Sequence, residues 1–247
     1  MKKILYLSLT LTFFWIFQAW AQFPPNTFFI LNEPSCHYGK GPDFIDQYSL
    51  EGENLNRLIS LGLGVEGMSD LAFDPSTGNL LYSVSHWGNQ IFEIREINSS
   101  GNLVDTCTHE NFGSGNISMV FGRDNTLHIA NDQQIFRRLP GQTQITKVCD
   151  LPFTGTGDLE IDSQGNLYLS DPFVNDIIYR ILPDGTVEIF ADHLDGVSRP
   201  YGLAMDAQDN LYVANSDPWD PSVIRLTPEG QGEPFASGGL LEPSVLD

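Results

Sequence analysis

The sequence predicts an all-β chain folded as a β-propeller of four-stranded blades, and three observations carry that expectation. A segment of about 25 residues recurs four times, apolar residues inside each copy alternate with a period of two, and Gly, Asn, Asp and Pro stand at matching places between the alternating runs. Repeats spaced by about 40 to 46 residues, each holding four strand signals, are the mark of propeller blades.

The copies begin at Ser69 (SDLAFDPSTGNLLYSVSHWGNQIFEI), Ile117 (ISMVFGRDNTLHIANDQQIFRRL), Gly157 (GDLEIDSQGNLYLSDPFVNDIIYRI) and Tyr201 (YGLAMDAQDNLYVANSDPWDPSVIRL). Overlaid, they place Tyr82, His128, Tyr168 and Tyr212 in one column of the second strand. In the third copy Leu159, Ile161, Leu167, Leu169, Ile177, Tyr179 and Ile181 recur at every second position of short runs, as half-buried strands require. Gly165-Asn166 and Asp184-Gly185 supply turns, because Gly and Asn adopt positive φ at little cost. A lone sheet of this size exposes an apolar face that only a neighbouring sheet can cover, so such units come in rings.

Ahead of the repeats, residues 1–21 read as an export leader. Lys2 and Lys3 precede an apolar run from Ile4 to Phe17, and Ala19-Trp20-Ala21 forms a small-x-small cleavage pattern before Gln22. The run is short for the roughly 20 residues that a bilayer needs. Residues 22–247 are then the propeller domain, expected to be secreted or periplasmic. Asn26 to Gly64 fits a blade that lacks its first strand: TFFILNEPS reads as the second, DFIDQYSLEGE as the third and LNRLISLGL as the fourth. The tail Gly238–Asp247 resembles the start of a first strand. Two arrangements stay open: the tail completes the first blade and closes a five-bladed ring, or the chain holds about five blades of an incomplete six-bladed one.

A formal charge of −20, with 32 acidic residues against 12 basic ones, repels phosphate backbones and anionic lipid. The partners expected are therefore an extracellular small molecule, glycan or protein, with no nucleic acid, and no membrane once the leader is removed. Cys36, Cys107 and Cys149 leave one thiol unpaired in any intrachain scheme, and Cys107 with Cys149, at similar places in successive repeats, is the expected pair. Neither a Cys-x-x-Cys spacing nor a Gly-x-Ser-x-Gly elbow occurs.

The stretches RPYGLAMDAQDNLYVANS from Arg199 and GDLEIDSQGNLYLSDPFVNDIIYRI from Gly157 resemble the blade of NHL-repeat propellers and of the wider gluconolactonase and senescence-marker-protein-like six-bladed group. That resemblance implies a divalent cation such as calcium at one channel mouth, and metal-dependent lactone hydrolysis as the activity alternative to binding. The family's ligand pattern does not carry over residue by residue: Tyr201 stands where the family has Asn, Glu66 lies a few residues early, and Asp158 is displaced by about one place. Glu66, Asp70 and Asp158 remain the candidate metal ligands, against the plainer role of capping local backbone N–H groups. A second candidate site comes from the loops after the second strands, where Tyr38, Trp87, Phe173 and Trp219 sit among hydrogen-bonding residues. Phe173, next to Val174 in a Pro-flanked turn, reads as packing between blades. His86, Trp87, Asp217 and Trp219 are the candidate ligand-binding residues, since flat apolar rings beside polar groups suit a sugar ring or a peptide. The reading of function is a non-catalytic binding or scaffold module. His128, replacing a repeat Tyr, reads as a structural strand residue.

Overall fold

Period-two alternation builds five antiparallel sheets, each meandering through four strand positions, and the chain is an all-β propeller of five blades. The computed structural model describes residues 2–6, 23, 27–32, 43–61, 66–86, 91–110, 117–131 and 133–237. They fall into two units, the first holding two sheets and the second three. Among the described residues no helix is long and apolar enough to cross a membrane.

In the first unit, sheet 1 is β1 (Lys2–Tyr6), β2 (Thr27–Asn32), β3 (Phe44–Ser49) and β4 (Asn54–Ser60), in that spatial order. Its second, third and fourth strands are those that the sequence predicts. Its first is not: Lys2–Tyr6, part of the expected leader, runs antiparallel to Thr27–Asn32 with Lys2 opposite Asn32 and Tyr6 opposite Phe28. The tail 238–247 lies outside the described residues. Sheet 2 is β5 (Glu66–Gly67) and β6 (Leu71–Phe73), both against β7 (Leu80–His86), then β8 (Ile91–Ile97) and β9 (Leu103–Glu110). Phe29, Leu31 and Ile45 from sheet 1 form one core with Leu71, Leu80 and Val84 from sheet 2.

The second unit holds sheet 3, β10 (Ser118–Phe121), β11 (Leu127–Ala130), β12 (Gln134–Arg138) and β13 (Thr146–Asp150). Sheet 4 is β14 (Leu159–Ile161), β15 (Leu167–Asp171), β16 (Ile177–Ile181) and β17 (Val187–Ala191). Sheet 5 is β18 (Pro200–Met205), β19 (Leu211–Asn215), β20 (Ser222–Leu226) and β21 (Gly232–Ser237). Sheet 4 shows why alternation matters. Leu167, Leu169, Tyr179 and Ile181 pack against Ala130 and Ile135 of sheet 3, while Tyr168 and Ile178, one residue out of phase, pack against Leu203 and Leu211 of sheet 5.

One expected column shifts. His128, Tyr168 and Tyr212 pair with Val120, Glu160 and Ala204, each one residue beyond the pair next to the turn, but in sheet 2 that place belongs to Leu81, opposite Ala72. Tyr82 falls on the other face, in the core that sheets 1 and 2 share. The turn from Asp74 to Asn79 is one residue longer than that from Asp162 to Asn166, and a one-residue slip reverses which face a strand residue takes. The expected Cys107–Cys149 bond is also not formed; Cys107 is buried on β9 and Cys149 half-buried on β13. Equivalent outer-strand positions in successive repeats are a likeness of place within a blade, not proximity. Cys36 lies outside the described residues.

Aspartates close the turns. Asp162 accepts from Gln164 N, Asn166 N and Asn166 Nδ2, and Asp206 repeats the pattern with Gln208 and Asn210. Backbone N–H donors hold other turn carboxyls below the usual carboxylate range: Thr126 N acts on Asp124, Thr186 N on Asp184 and Trp219 N on Asp217. A carboxylate whose pKa is depressed by folding stabilises the fold above its unfolded value of about 3.9, and that contribution is lost as pH falls through the folded value. The melting temperature is therefore expected to stay level from pH 7 to about 5 and to fall steeply below about 4, read by circular dichroism melts across that series.

Candidate functional site

Loops carry the candidate binding residues, so the site depends on what fixes the loops. In the second unit the anchor is Ser170, fully buried near the end of β15. Gly157 N donates to Ser170 O at 2.9 Å, Asp158 N donates to Ser170 Oγ at 2.8 Å, and Ser170 Oγ donates to Tyr201 O at 2.9 Å. The end of one second strand is thereby joined to its own first strand and to the first strand of the next sheet. A Cβ on Gly157 would run into Ser170 Oγ and sit 3.0 Å from Tyr201 O, so only glycine fits this crossing.

Asp158 continues the join. Its Oδ1 accepts from Ser118 Oγ at 2.8 Å and from Leu159 N at 2.9 Å, and its Oδ2 accepts from Leu203 N at 3.1 Å. One carboxylate thus holds β10, β14 and β18, the first strands of sheets 3, 4 and 5. Asp70 occupies the equivalent place in the first unit: it is buried, its N donates to Ser83 Oγ at 2.9 Å, and its Oδ1 accepts from Leu71 N at 2.7 Å. Glu66 opens β5 opposite His86. Of the three candidate metal ligands, Glu66 and Asp70 belong to the first unit and Asp158 to the second. Among the described residues no group of three His, Cys, Asp or Glu side chains is placed to hold a metal ion.

The aromatic loops of sheets 4 and 5 leave from the end that this network secures. After β15, Asp171 has no exposed surface and accepts from Val174 N at 3.0 Å and Asn175 Nδ2 at 2.8 Å, closing the turn. Phe173 projects from that turn 53% exposed, its ring 5.4 Å from Tyr201 and nearly perpendicular to it. The expectation that Phe173 packs between blades is corrected in part: one edge meets Tyr201 and Gly155, and the rest faces solvent. After β19, Ser198 Oγ donates to Asp217 Oδ2 at 2.9 Å and Trp219 N donates to Asp217 Oδ1 at 2.8 Å. Trp219, between Pro218 and Pro221, is 93% exposed. A third loop joins β17 to β18 at the same end, tied to β19 by Asn215 Nδ2 donating to Gly196 O and Ser198 N donating to Asn215 Oδ1. It presents Leu194, 82% exposed on the 3-10 turn His193–Asp195.

Asp217 and Trp219 therefore stand together, and they share the loop end of this unit with Phe173, Val174, Tyr201 and Leu194. His86 ends β7 in the first unit, its Nε2 3.4 Å from Glu93, which also accepts from Arg95 at 2.7 Å. Trp87 and Tyr38 lie outside the described residues. Sequence reasoning missed Leu194 because a single Leu beside charged residues gives no periodic signal, and it treated Tyr201 only as a replaced metal ligand.

No protein-family model and no curated protein matches the chain. Solved structures do. A virginiamycin B lyase from Staphylococcus aureus superposes with a TM-score of 0.64 at 16% identity, over 99% of this chain and 78% of that one. An auxiliary nutrient binding protein from Bacteroides thetaiotaomicron gives 0.62 at 15% identity, over 90% of this chain and 62% of that one. TolB from Acinetobacter baumannii gives 0.60 at 15%, over 89% and 54%. At such identities the likeness establishes the β-propeller fold.

Replacing Asp158 by Ala should cost about 2 to 4 kcal/mol in urea denaturation, because Leu203 N, Leu159 N and Ser118 Oγ all lose a charged acceptor. Asp158→Asn keeps one acceptor oxygen and should lose less.

Proposed function

We propose that the protein is an exported binding propeller whose second unit captures an extracellular ligand on the loop end built by Phe173, Leu194, Tyr201 and Trp219. The observation that carries this reading is Trp219, 93% exposed on a loop that Asp217 and two prolines hold in place. A large apolar ring costs free energy in water, and one kept rigid loses little entropy when a partner covers it. Asp217 and Ser198 beside it offer hydrogen bonds, a pairing that suits a sugar ring or an aromatic side chain of a peptide. The nutrient binding protein among the structural neighbours supports a binding role for this architecture.

Glycan and peptide arrays probed with the labelled protein test the reading. A defined set of glycans or peptides should bind, and Trp219→Ala should weaken that binding by about 1 to 3 kcal/mol while the melting temperature stays within a degree or two. Uniform or absent binding, or binding that Trp219→Ala leaves intact, overturns it. Export itself is checked by intact mass: material recovered outside the cytoplasm should begin at or near Gln22, and a soluble exported product that keeps Lys2 and Lys3 contradicts cleavage of the leader.

A further inference from the structure

The gap between sheets 3 and 4 departs from the filling that the second unit uses elsewhere. In sheets 4 and 5 the hairpin-turn end is packed by five matching residues. Tyr168 OH donates to Asp162 and Tyr212 OH to Asp206, and each tyrosine meets a fourth-strand phenylalanine edge-on, Phe190 or Phe235, at 4.8 Å. The arginine opposite each tyrosine, Arg180 or Arg225, is neutralised by the glutamate paired with it on the fourth strand, Glu188 or Glu233.

Sheet 3 breaks four of the five positions and keeps only the arginine, as Arg137. By strand and turn register, Gly122 replaces the aspartate, His128 the tyrosine, Val148 the phenylalanine and Thr146 the glutamate. Three of these changes remove bulk, and a cavity of about 370 Å³ opens there between sheets 3 and 4. The fourth strips the partner from Arg137, the arginine opposite His128. Arg57, Arg95, Lys147, Arg180 and Arg225 each pair with a carboxylate, whereas Arg137 and Arg123, which both line the cavity, have no ion pair among the described residues. In a chain with 32 acidic and 12 basic residues, two guanidinium groups without an ion pair lining one cavity are a local departure. His128 Nδ1 is buried there without a hydrogen-bond partner. The two acidic residues of the lining are engaged by their own turns: Asp124 accepts from Thr126 N and Oγ1, and Asp162 from Gln164, Asn166 and Tyr168. Leu139, Val148, Ile161 and Ile181 supply an apolar wall.

We infer that this cavity is a binding site for a small organic acid, its carboxylate held by Arg123, Arg137 and His128 and its apolar body set against Leu139, Val148, Ile161 and Ile181. Arginine forks suit a carboxylate, and the absent fourth-strand glutamate leaves them available to one. The site is separate from the Trp219 loops, which leave the opposite end of the sheets, so either can fail without the other.

Calorimetric titration of the full chain with hexanoate, hexanamide and inorganic phosphate tests it. Hexanoate should bind with one site per chain, hexanamide about 10-fold or more weaker for lack of charge, and phosphate weaker than hexanoate for lack of an apolar body. Thr146→Glu restores the cross-strand partner found in sheets 4 and 5 at an exposed position, and should weaken hexanoate about 10-fold or more with an unchanged melt. Arg137→Gln, also exposed, should do the same. Equal binding of acid and amide, tighter binding of phosphate than of hexanoate, or hexanoate binding that Thr146→Glu leaves unchanged overturns the inference, as does the absence of hexanoate binding.

Discussion

Three first strands hang on one carboxylate. Asp158 takes Ser118 from sheet 3, its own Leu159 from sheet 4 and Leu203 from sheet 5, and Ser170 beside it reaches Tyr201. Two of these first strands are short, three residues in β14 and four in β10, so ladder hydrogen bonds alone do little to set one sheet against the next. A charge-assisted bond across each junction does so with direction as well as strength. The loop geometry follows from it: the turn carrying Phe173 begins one residue after Ser170, and Tyr201 is the residue whose carbonyl Ser170 grips. That is also why Asp158 reads two ways in sequence. An acidic residue at the start of a first strand suits a cation, and equally suits unpaired N–H groups of neighbouring strands.

Apolar packing does the rest, and it is periodic because the strands are. Alternate residues of β15 serve two neighbours, Leu167 and Leu169 on one side and Tyr168 on the other, so a change at one position is felt in one gap only. Sheet 3 can therefore lose a tyrosine, a phenylalanine and an aspartate without disturbing its other face, where Leu127, Ile129 and Phe136 remain buried. Divergence confined to one face of one blade is how a repeat fold acquires a local site while keeping its architecture.

Much of this was legible in the sequence, and the failures have physical causes. Second, third and fourth strands were readable because alternation and turn residues are local properties, visible within ten residues. The position of Tyr82 was misread because one extra residue in the turn after Asp74 slips the register, which an overlay on similar letters conceals. The Cys107–Cys149 pair failed because repeat equivalence carries no information on distance. His128 was seen as a substitution, yet its meaning came only with Gly122, Val148 and Thr146, which lie on two other segments and meet it through strand pairing. Exposure was the least legible property. Nothing in the letters separates Phe173 at 53% from the buried Phe153, or marks Leu194 at 82%.

Lys2–Tyr6 puts two demands on the same residues. Read as the n-region and opening of the proposed export leader it would be removed by a peptidase, whereas as β1 it pairs with Phe28–Asn32. Both uses draw on one property, since an apolar run beginning Ile-Leu-Tyr serves a signal sequence and a strand equally well. They differ in consequence. Sheet 1 without Lys2–Tyr6 keeps β2, β3 and β4 and their core residues Phe29, Leu31 and Ile45, so the burial that holds it to sheet 2 survives. What it loses is the ladder on the Thr27–Asn32 edge, whose backbone groups then need water or another strand. An unpaired edge next to a preserved core favours recruitment of a strand over unfolding, because the apolar face is already satisfied and only hydrogen bonds are missing.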